Sequence, residues 1–239
     1  MQPGPNTRMQ LARLGRVWKQ GEHVLVSGAT KSGKTSLTRH IVELRAQRGG
    51  HVVVFCMKPL PDPTIINDYR DFNRWEKWPR FIRSSDKRNL LWPDVSKAKG
   101  NRRAILEIQT EVFQTAFDAV NSTGKWTVLI DEGLYTTSPE FLNMAGDLAM
   151  GHAIGRSGDL TYVTSTQRPS HLPLILYGSA SHAMVGRTRE AVDTKRLAEL
   201  GPKEGAKELG ARISKLDRHG FLWIPVSEDW DTEYVNLKQ

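Results

Sequence analysis

The sequence predicts an α/β fold: a mostly parallel sheet with helices on both faces, closed by a C-terminal β-hairpin. Two observations carry this. Short apolar, β-rich runs alternate with stretches of helical periodicity along the 239 residues. A glycine-rich loop also sits between the first such run and the first such helix. Parallel strands are covered on both faces, so they read as continuous apolar runs rather than alternating ones.

The elements follow in order. Residues 23–27 (HVLVS) form a buried strand. Ser36 to Arg48 reads as a helix with Leu37, Ile41 and Leu44 on one face, stopped by Gly49-Gly50. Residues 51–55 (HVVVF) are a second buried strand. Prolines 59, 61, 63, 79 and 93 then interrupt the alternation, and residues 68–103 are expected to be an insert of short helices and loops. Ala104 to Val120 is a helix with Ile105, Ile108, Val112, Phe113 and Phe117 roughly aligned. Residues 126–130 (WTVLI) are a third strand, 139–153 a helix, 160–165 a fourth strand and 182–186 a fifth. Helices are expected over 190–200 and 203–216. The closing segment, 219–239, pairs 220–225 with 233–237 as a hairpin. All of 1–239 is read as one domain, with 1–20 an amphipathic arm that carries Arg8, Arg13 and Arg16 beside Met9, Leu11, Leu14 and Val17. That arm can pack on its own domain or on a neighbouring copy, and the neighbour is the expectation.

Composition narrows the chemistry. With 38% hydrophobic and 25% charged residues, a packed soluble core is expected. No apolar run approaches the ~20 residues that span a bilayer. Residues 1–6 lack the basic-then-apolar pattern of a secretory signal. The single cysteine, Cys56, excludes an internal disulfide or a thiolate-rich zinc site and suits a reducing, cytoplasmic setting; at a strand end it reads as a small buried hydrophobe. The seven histidines show no H-E-x-x-H pattern. Glu228, Asp229, Asp231 and Glu233 cluster before the last strand and read as a solvated hairpin loop.

The net charge of +8 favours an anionic partner. Residues 68–103 hold eleven basic side chains against five acids, which accounts for +6 of it. The same window contains Tyr69, Phe72, Trp75, Trp78, Phe81 and Trp92.

The most specific motif is Gly28-Ala29-Thr30-Lys31-Ser32-Gly33-Lys34-Thr35, followed by Ser36, which matches the phosphate-binding loop (Walker A) between a strand and a helix. Its backbone N–H groups turn inward around a β-phosphate, Lys34 reaches the β- and γ-phosphates, and the Thr35 hydroxyl ligates Mg²⁺. About 96 residues on from Thr35, an apolar strand ends in Asp131-Glu132, a Walker B pattern. Asp131 is the expected Mg²⁺ partner and Glu132 the group that polarises an attacking water, which favours an ATP-hydrolysing enzyme over a phosphotransferase. The fourth strand is expected beside the first, placing Gln167 near a γ-phosphate as a sensor. Arg156, in Gly155-Arg156-Ser157-Gly158, is a candidate arginine finger for a neighbouring subunit's nucleotide, or a helix C-cap. Arg168, Arg187 and Arg189 are rivals for that role.

The loop GATKSGKTS, the strand VLIDEG and the tract GRSGDLTYVTSTQRPSHLP together resemble the HerA/FtsK superfamily of ring-forming, DNA-translocating ATPases. SHAMVGRTREAVDTKRLAELG is similar to the segment after that family's glutamine motif, so the likeness runs over about residues 21–225. It implies a RecA-like (ASCE) phosphate-loop core, ATP and Mg²⁺ as cofactors, and a homopentameric or homohexameric ring around double-stranded DNA. The compact length is most similar to the viral genome-packaging ATPases. Packaging into a preformed capsid, a capsid or portal vertex partner, and a host-cytoplasmic location with docking at the capsid vertex are therefore expected. Lys31 departs from the family, whose cellular members carry glycine there, and offers a basic side chain to a γ-phosphate or a neighbouring subunit. The basic window is the candidate DNA-facing or capsid-facing element; the alternative is that its aromatics pack on the sheet and its charges form a solvated face.

Other readings are a cellular or conjugative translocase of the same superfamily and a P-loop nucleotide or small-molecule kinase. The kinase lacks an explanation for Asp131-Glu132 and the glutamine tract. A GTPase lacks its N-K-x-D tetrapeptide, and D-x-x-G occurs only at 217–220. A terminase-like nuclease motor lacks room for a second domain after residue 225.

Overall fold

The computed structural model describes residues 5–59, 62–188, 190–200, 205–226 and 233–237, with backbone alone for 5–9. Helix α1 (Pro5–Val17) precedes β1 (His23–Ser27), α2 (Lys34–Gln47) and β2 (His51–Phe55). Next come α3 (Pro63–Asp68), β3 (Asn73–Trp75), β4 (Arg88–Leu91), α4 (Arg102–Thr123) and β5 (Trp126–Ile130). The chain continues through α5 (Gly133–Thr137), α6 (Ala145–Ile154), β6 (Thr161–Thr166), α7 (Leu174–Gly178) and β7 (Ala180–Gly186). Helices α8 (Ala191–Ala198) and α9 (Ala206–Ser214) lead into β8 (Gly220–Pro225) and β9 (Glu233–Asn236).

One nine-stranded mixed sheet runs in the order β3-β4-β2-β5-β6-β1-β7-β8-β9. The seven strands from β3 to β7 are parallel; β7–β8 and β8–β9 are antiparallel, so the C-terminal hairpin extends the sheet. Strand β1 lies between β6 and β7 and is buried along its whole length. Its alternation splits the core in two. Leu25 points with Phe55, Val128 and Ile130 toward α4 and α6–α9, whereas Val24 and Val26 point with Val54 and Val163 toward α1–α3.

Helix α4 shows how packing fixes an element. The Asn101 side chain caps it by accepting from Ala104 N (3.2 Å), and Gly124 ends it at φ 62°. Between these, Phe113 and Phe117 are buried against Phe55, with ring centroids 5.3 and 5.1 Å apart. No helix among the described residues is long and apolar enough to cross a membrane.

Three expectations need correction. Residues 68–103 are not an insert of helices and loops. They supply β3 and β4, which add to the edge of the sheet in parallel with β2. Trp92 is buried, Trp75 is half-buried and donates to Asn89 Oδ1 (3.0 Å), and Trp78 packs edge-on against Trp126, 5.6 Å away. Phe81 alone of those four aromatics stands out, 76% exposed. The basic side chains at 70, 74, 77, 80, 83, 97, 99, 102 and 103 are exposed.

The expected 139–153 helix begins only at Ala145, as α6; residues 139–142 form turns and Asn143 takes φ 54° before it. The arm packs on its own chain rather than a neighbour: Leu11, Leu14 and Trp18 are buried, each contributing roughly 2 kcal/mol. Helix α1 rests on α2 and β9, where Gln10 donates to the Tyr234 carbonyl and Arg13 pairs with Glu233. The Arg8 and Met9 side chains, Arg189, Glu228, Asp229 and Asp231 lie outside the described residues.

Candidate active site

The C-terminal ends of the central parallel strands open into a cleft of about 670 Å³, at the topological position where open α/β sheets bind ligands. The 28–33 loop forms one wall. Gly28 N donates to Thr166 O (3.3 Å) and Ala29 N to Arg187 O (3.2 Å), tying the loop to the strands on both sides of β1. Gly33 adopts φ 97°, a left-handed conformation that glycine takes without strain, and turns the chain into α2. Lys31 adopts φ 62° with its side chain exposed at the loop's outer rim. Lys34 folds back over the loop, donating to Gly28 O (2.8 Å) and Ala29 O (3.2 Å). Thr35 and Ser36 follow in the first turn of α2, half-buried against the same cleft.

Register places the acids opposite. Strand β5 ends at Ile130, so Asp131 and Glu132 emerge at the cleft floor, and Glu132 starts α5. Glu132 Oε1 accepts from Thr166 Oγ1 (3.3 Å). Gln167 follows β6, beside β1 as expected, and its Oε1 accepts from Thr30 Oγ1 at 2.6 Å. Lys34, Thr35, Asp131, Glu132 and Gln167, distant in sequence, therefore share one cleft.

The electrostatics are those of a desolvated charge cluster. Burial pushes the Asp131 carboxyl up to about 6; Lys58 is the largest influence opposing this, and adjacent Glu132 adds to it. Burial also raises Glu132, opposed chiefly by Lys34. Burial lowers Lys34, opposed by Glu132 and then Asp131. Among the described residues no group of three or more metal-ligating side chains occurs. Asp131 with the Thr35 hydroxyl is instead a sparse, all-oxygen donor set in an anionic corner. That suits Mg²⁺, which is usually held by one or two carboxylates together with substrate phosphates.

Arg156 is not brought to this cleft. It follows α6, exposed, with its Cα against Gly21 just before β1, so one full strand separates it from its own phosphate loop. That separation is about 16 Å for five residues. Gly155 lies so close to the His23 ring that a Cβ there would come within 2.4 Å of it. Arg168 pairs with the fully buried Asp193 (3.2 Å), and Arg187 lies at the C-terminal end of β7 near Ala29. Cys56 is buried, which pushes its thiol up to about 12 and leaves it inert.

Sequence reading missed Lys58, Asp62 and His219, which also line the cleft. Lys58 sits in a proline-rich stretch without a motif, and His219 is brought in from the C-terminal hairpin, its Nδ1 3.1 Å from Ser32 O. A second hollow, about 750 Å³ between α8 and α9, is lined by Arg187 but by no residue of the phosphate loop or the acid pair.

No family model matches the sequence, and no curated protein matches it. Solved structures do match. The DNA-packaging ATPase B204 from Sulfolobus turreted icosahedral virus superposes with a TM-score of 0.61 at 17% identity, covering 91% of this chain and 98% of that one. The genome-packaging NTPase B204 of Sulfolobus turreted icosahedral virus 2, in complex with ATP-gammaS, gives 0.58 at 17%, covering 90% and 96%. VirB4 of Thermoanaerobacter pseudethanolicus gives 0.62 at 8%, covering 91% and 89%. At these identities the likeness is one of fold: this chain is built on the same sheet-and-helix scaffold as these proteins.

Proposed function

We propose that this chain is an ATPase that moves double-stranded DNA, and that its role is to drive a viral genome into a preformed capsid as one subunit of a five- or six-membered ring. One observation carries the hydrolytic part: a single cleft collects Lys34 and Thr35 on one wall with Asp131, Glu132 and Gln167 opposite. The DNA part is supported by the exposed basic edge and by the fold shared with the DNA-packaging ATPase B204. The fold shared with the pCW3 conjugation coupling protein TcpA supports a conjugative translocase as the second reading.

In this reading the Lys34 ammonium leaves the Gly28 and Ala29 carbonyls for the β- and γ-phosphates, which the 28–33 backbone amides surround. Thr35 and Asp131 would hold Mg²⁺, whose charge would offset that of the phosphates. Glu132, raised by burial and oriented by Thr166, accepts a hydrogen bond from the attacking water and takes its proton. Gln167, tethered to the loop through Thr30, registers whether the terminal phosphate is present. Arg156 serves the next subunit's nucleotide, consistent with its distance from its own.

The test is ATP hydrolysis by the purified protein with and without duplex DNA, beside Glu132→Gln and Arg156→Ala. Stimulation by duplex, loss in both variants and partial recovery when the two are mixed is the expected result. Hydrolysis indifferent to DNA, or phosphate passed to a small acceptor, overturns the translocase reading.

A further inference from the structure

A second ammonium group faces the cleft from the side opposite the phosphate loop. Strands β2 and β5 pair in register, Phe55 with Ile130, so Lys58 and Asp131 leave the sheet from adjacent strand ends. Lys58 Nζ donates to Asp62 Oδ2 at 2.5 Å, while Asp62 Oδ1 caps α3 by accepting from Thr64 N (2.8 Å). The backbone beneath this side chain is clamped twice. Trp92 Nε1 donates to Lys58 O (2.7 Å), and the buried Gln109 donates to Met57 O (3.0 Å). Gln109 Oε1 in turn accepts from the Tyr135 hydroxyl (2.8 Å), on the short helix that follows Asp131-Glu132.

A lysine that merely decorates a rim needs neither clamp, since an exposed i, i+4 ion pair contributes only a few tenths of a kcal/mol and tolerates a mobile backbone. Here a fixed backbone carries a flexible, half-exposed ammonium (48%) into a cleft of phosphate-handling groups. Asp62 holds it with a single carboxylate. A triphosphate offers several times that charge, with oxygens free to accept.

We propose that Lys58 is a second phosphate-contacting cation of the site, which leaves Asp62 when a nucleoside triphosphate enters and contacts its terminal phosphate from the side opposite Lys34. Its standing as the largest counter-charge to Asp131, ahead of Lys34, fits a position beside that carboxylate. The inference rests on the ATPase reading and adds a residue to it.

The test is equilibrium binding of ATPγS and of ADP to the full chain, for wild type, Lys58→Ala, Lys58→Arg and Lys34→Ala, with a thermal melt of each. A contact to the terminal phosphate predicts that Lys58→Ala weakens ATPγS by at least about tenfold, the least that one charge-assisted hydrogen bond supplies, and changes ADP less than about twofold. Lys58→Arg should recover part of the loss, and kcat for ATP should fall with Lys58→Ala. If Lys58→Ala binds both nucleotides like wild type while Lys34→Ala binds neither, Lys58 has no such role and the nucleotide reading stands. Equal weakening of ATPγS and ADP also removes the terminal-phosphate contact. A wild type that binds neither nucleotide removes both readings.

Discussion

His23 and His152 form a buried pair beneath the N-terminal end of β1, and their protonation predicts a measurable acid weakness. The rings lie 4.2 Å apart; His23 Nδ1 accepts from Tyr162 N (3.0 Å), so its proton sits on Nε2, which faces His152 O at 3.0 Å. Burial lowers His23 to about 4 from 6.5, outweighing its bond to the His152 carbonyl, and lowers His152 as well, because an imidazolium there loses its hydration. The unfolded chain therefore binds more protons than the folded one below about pH 6.5, and stability falls as pH falls through that window. For His23 alone, linkage gives a loss of about 2 kcal/mol between pH 7 and pH 5, approaching roughly 3 kcal/mol at pH 4. Asp131, raised to about 6, contributes with the opposite sign in the same range, since its folded form takes up a proton first. It lies at the other end of the sheet, so its contribution cancels in a comparison of wild type with His23→Gln. Urea titrations of both proteins at pH 7, 6 and 5 should show wild type losing about 2 kcal/mol more than the variant. Parallel pH profiles would refute the burial argument. Because Arg156 also disfavours the charged His23, Arg156→Ala should shift this profile slightly, and its hydrolysis should be assayed at pH 7.5 or above.

Three further outcomes are expected. Gly33→Ala forces a side chain into φ 97° and a Cβ to within 2.8 Å of Leu237, so it should cost about 1–2 kcal/mol in urea and abolish nucleotide binding; an unchanged Kd would show that the loop relaxes freely. Phe117→Ala empties a site packed against Phe55 and should cost about 3–5 kcal/mol while leaving nucleotide affinity within twofold at temperatures where the variant is folded. The Arg80→Ser, Arg83→Ser double variant removes two exposed charges. If both contact DNA phosphates, the slope of log K against log salt should fall by about 2 in magnitude, and an unchanged slope would assign this edge to solvent.

Legibility in the sequence tracked burial. Strands β1, β2 and β5 stand at their predicted bounds because each is a run of residues buried on both faces, broken only by the half-buried His51 that opens β2. Strands β3 and β4 did not show, since Asn73-Arg74-Trp75 is a three-residue, half-exposed edge and β4 opens with two polar side chains, Arg88 paired with Glu43 and Asn89 bonded to Trp75 and the Val52 and Asp86 carbonyls. The late start of α6 was hidden by Phe141, Leu142 and Met144, which continue an apolar rhythm while the backbone turns at 139–142 and at Asn143. Within the site, the loop and the acid pair were readable because their chemistry demands a local pattern. Lys58 and His219 were not, because only sheet register and the hairpin bring them in.

The two margins of the sheet also bear on how copies of this chain can associate. A strand margin with open amides and carbonyls invites another chain to zip on, and natural proteins blunt it with short strands, charge or a cover. At one side β3 offers only three residues with the Arg74 guanidinium folded over Trp92, 4.8 Å from its ring. At the other, α1 lies along β9 and its Gln10 amide occupies a carbonyl that an incoming strand would need. Extension of the sheet from copy to copy is thus disfavoured on both sides. Any closed assembly must instead be made through helix faces and loops, whose contacts can loosen and re-form without unzipping a β-ladder.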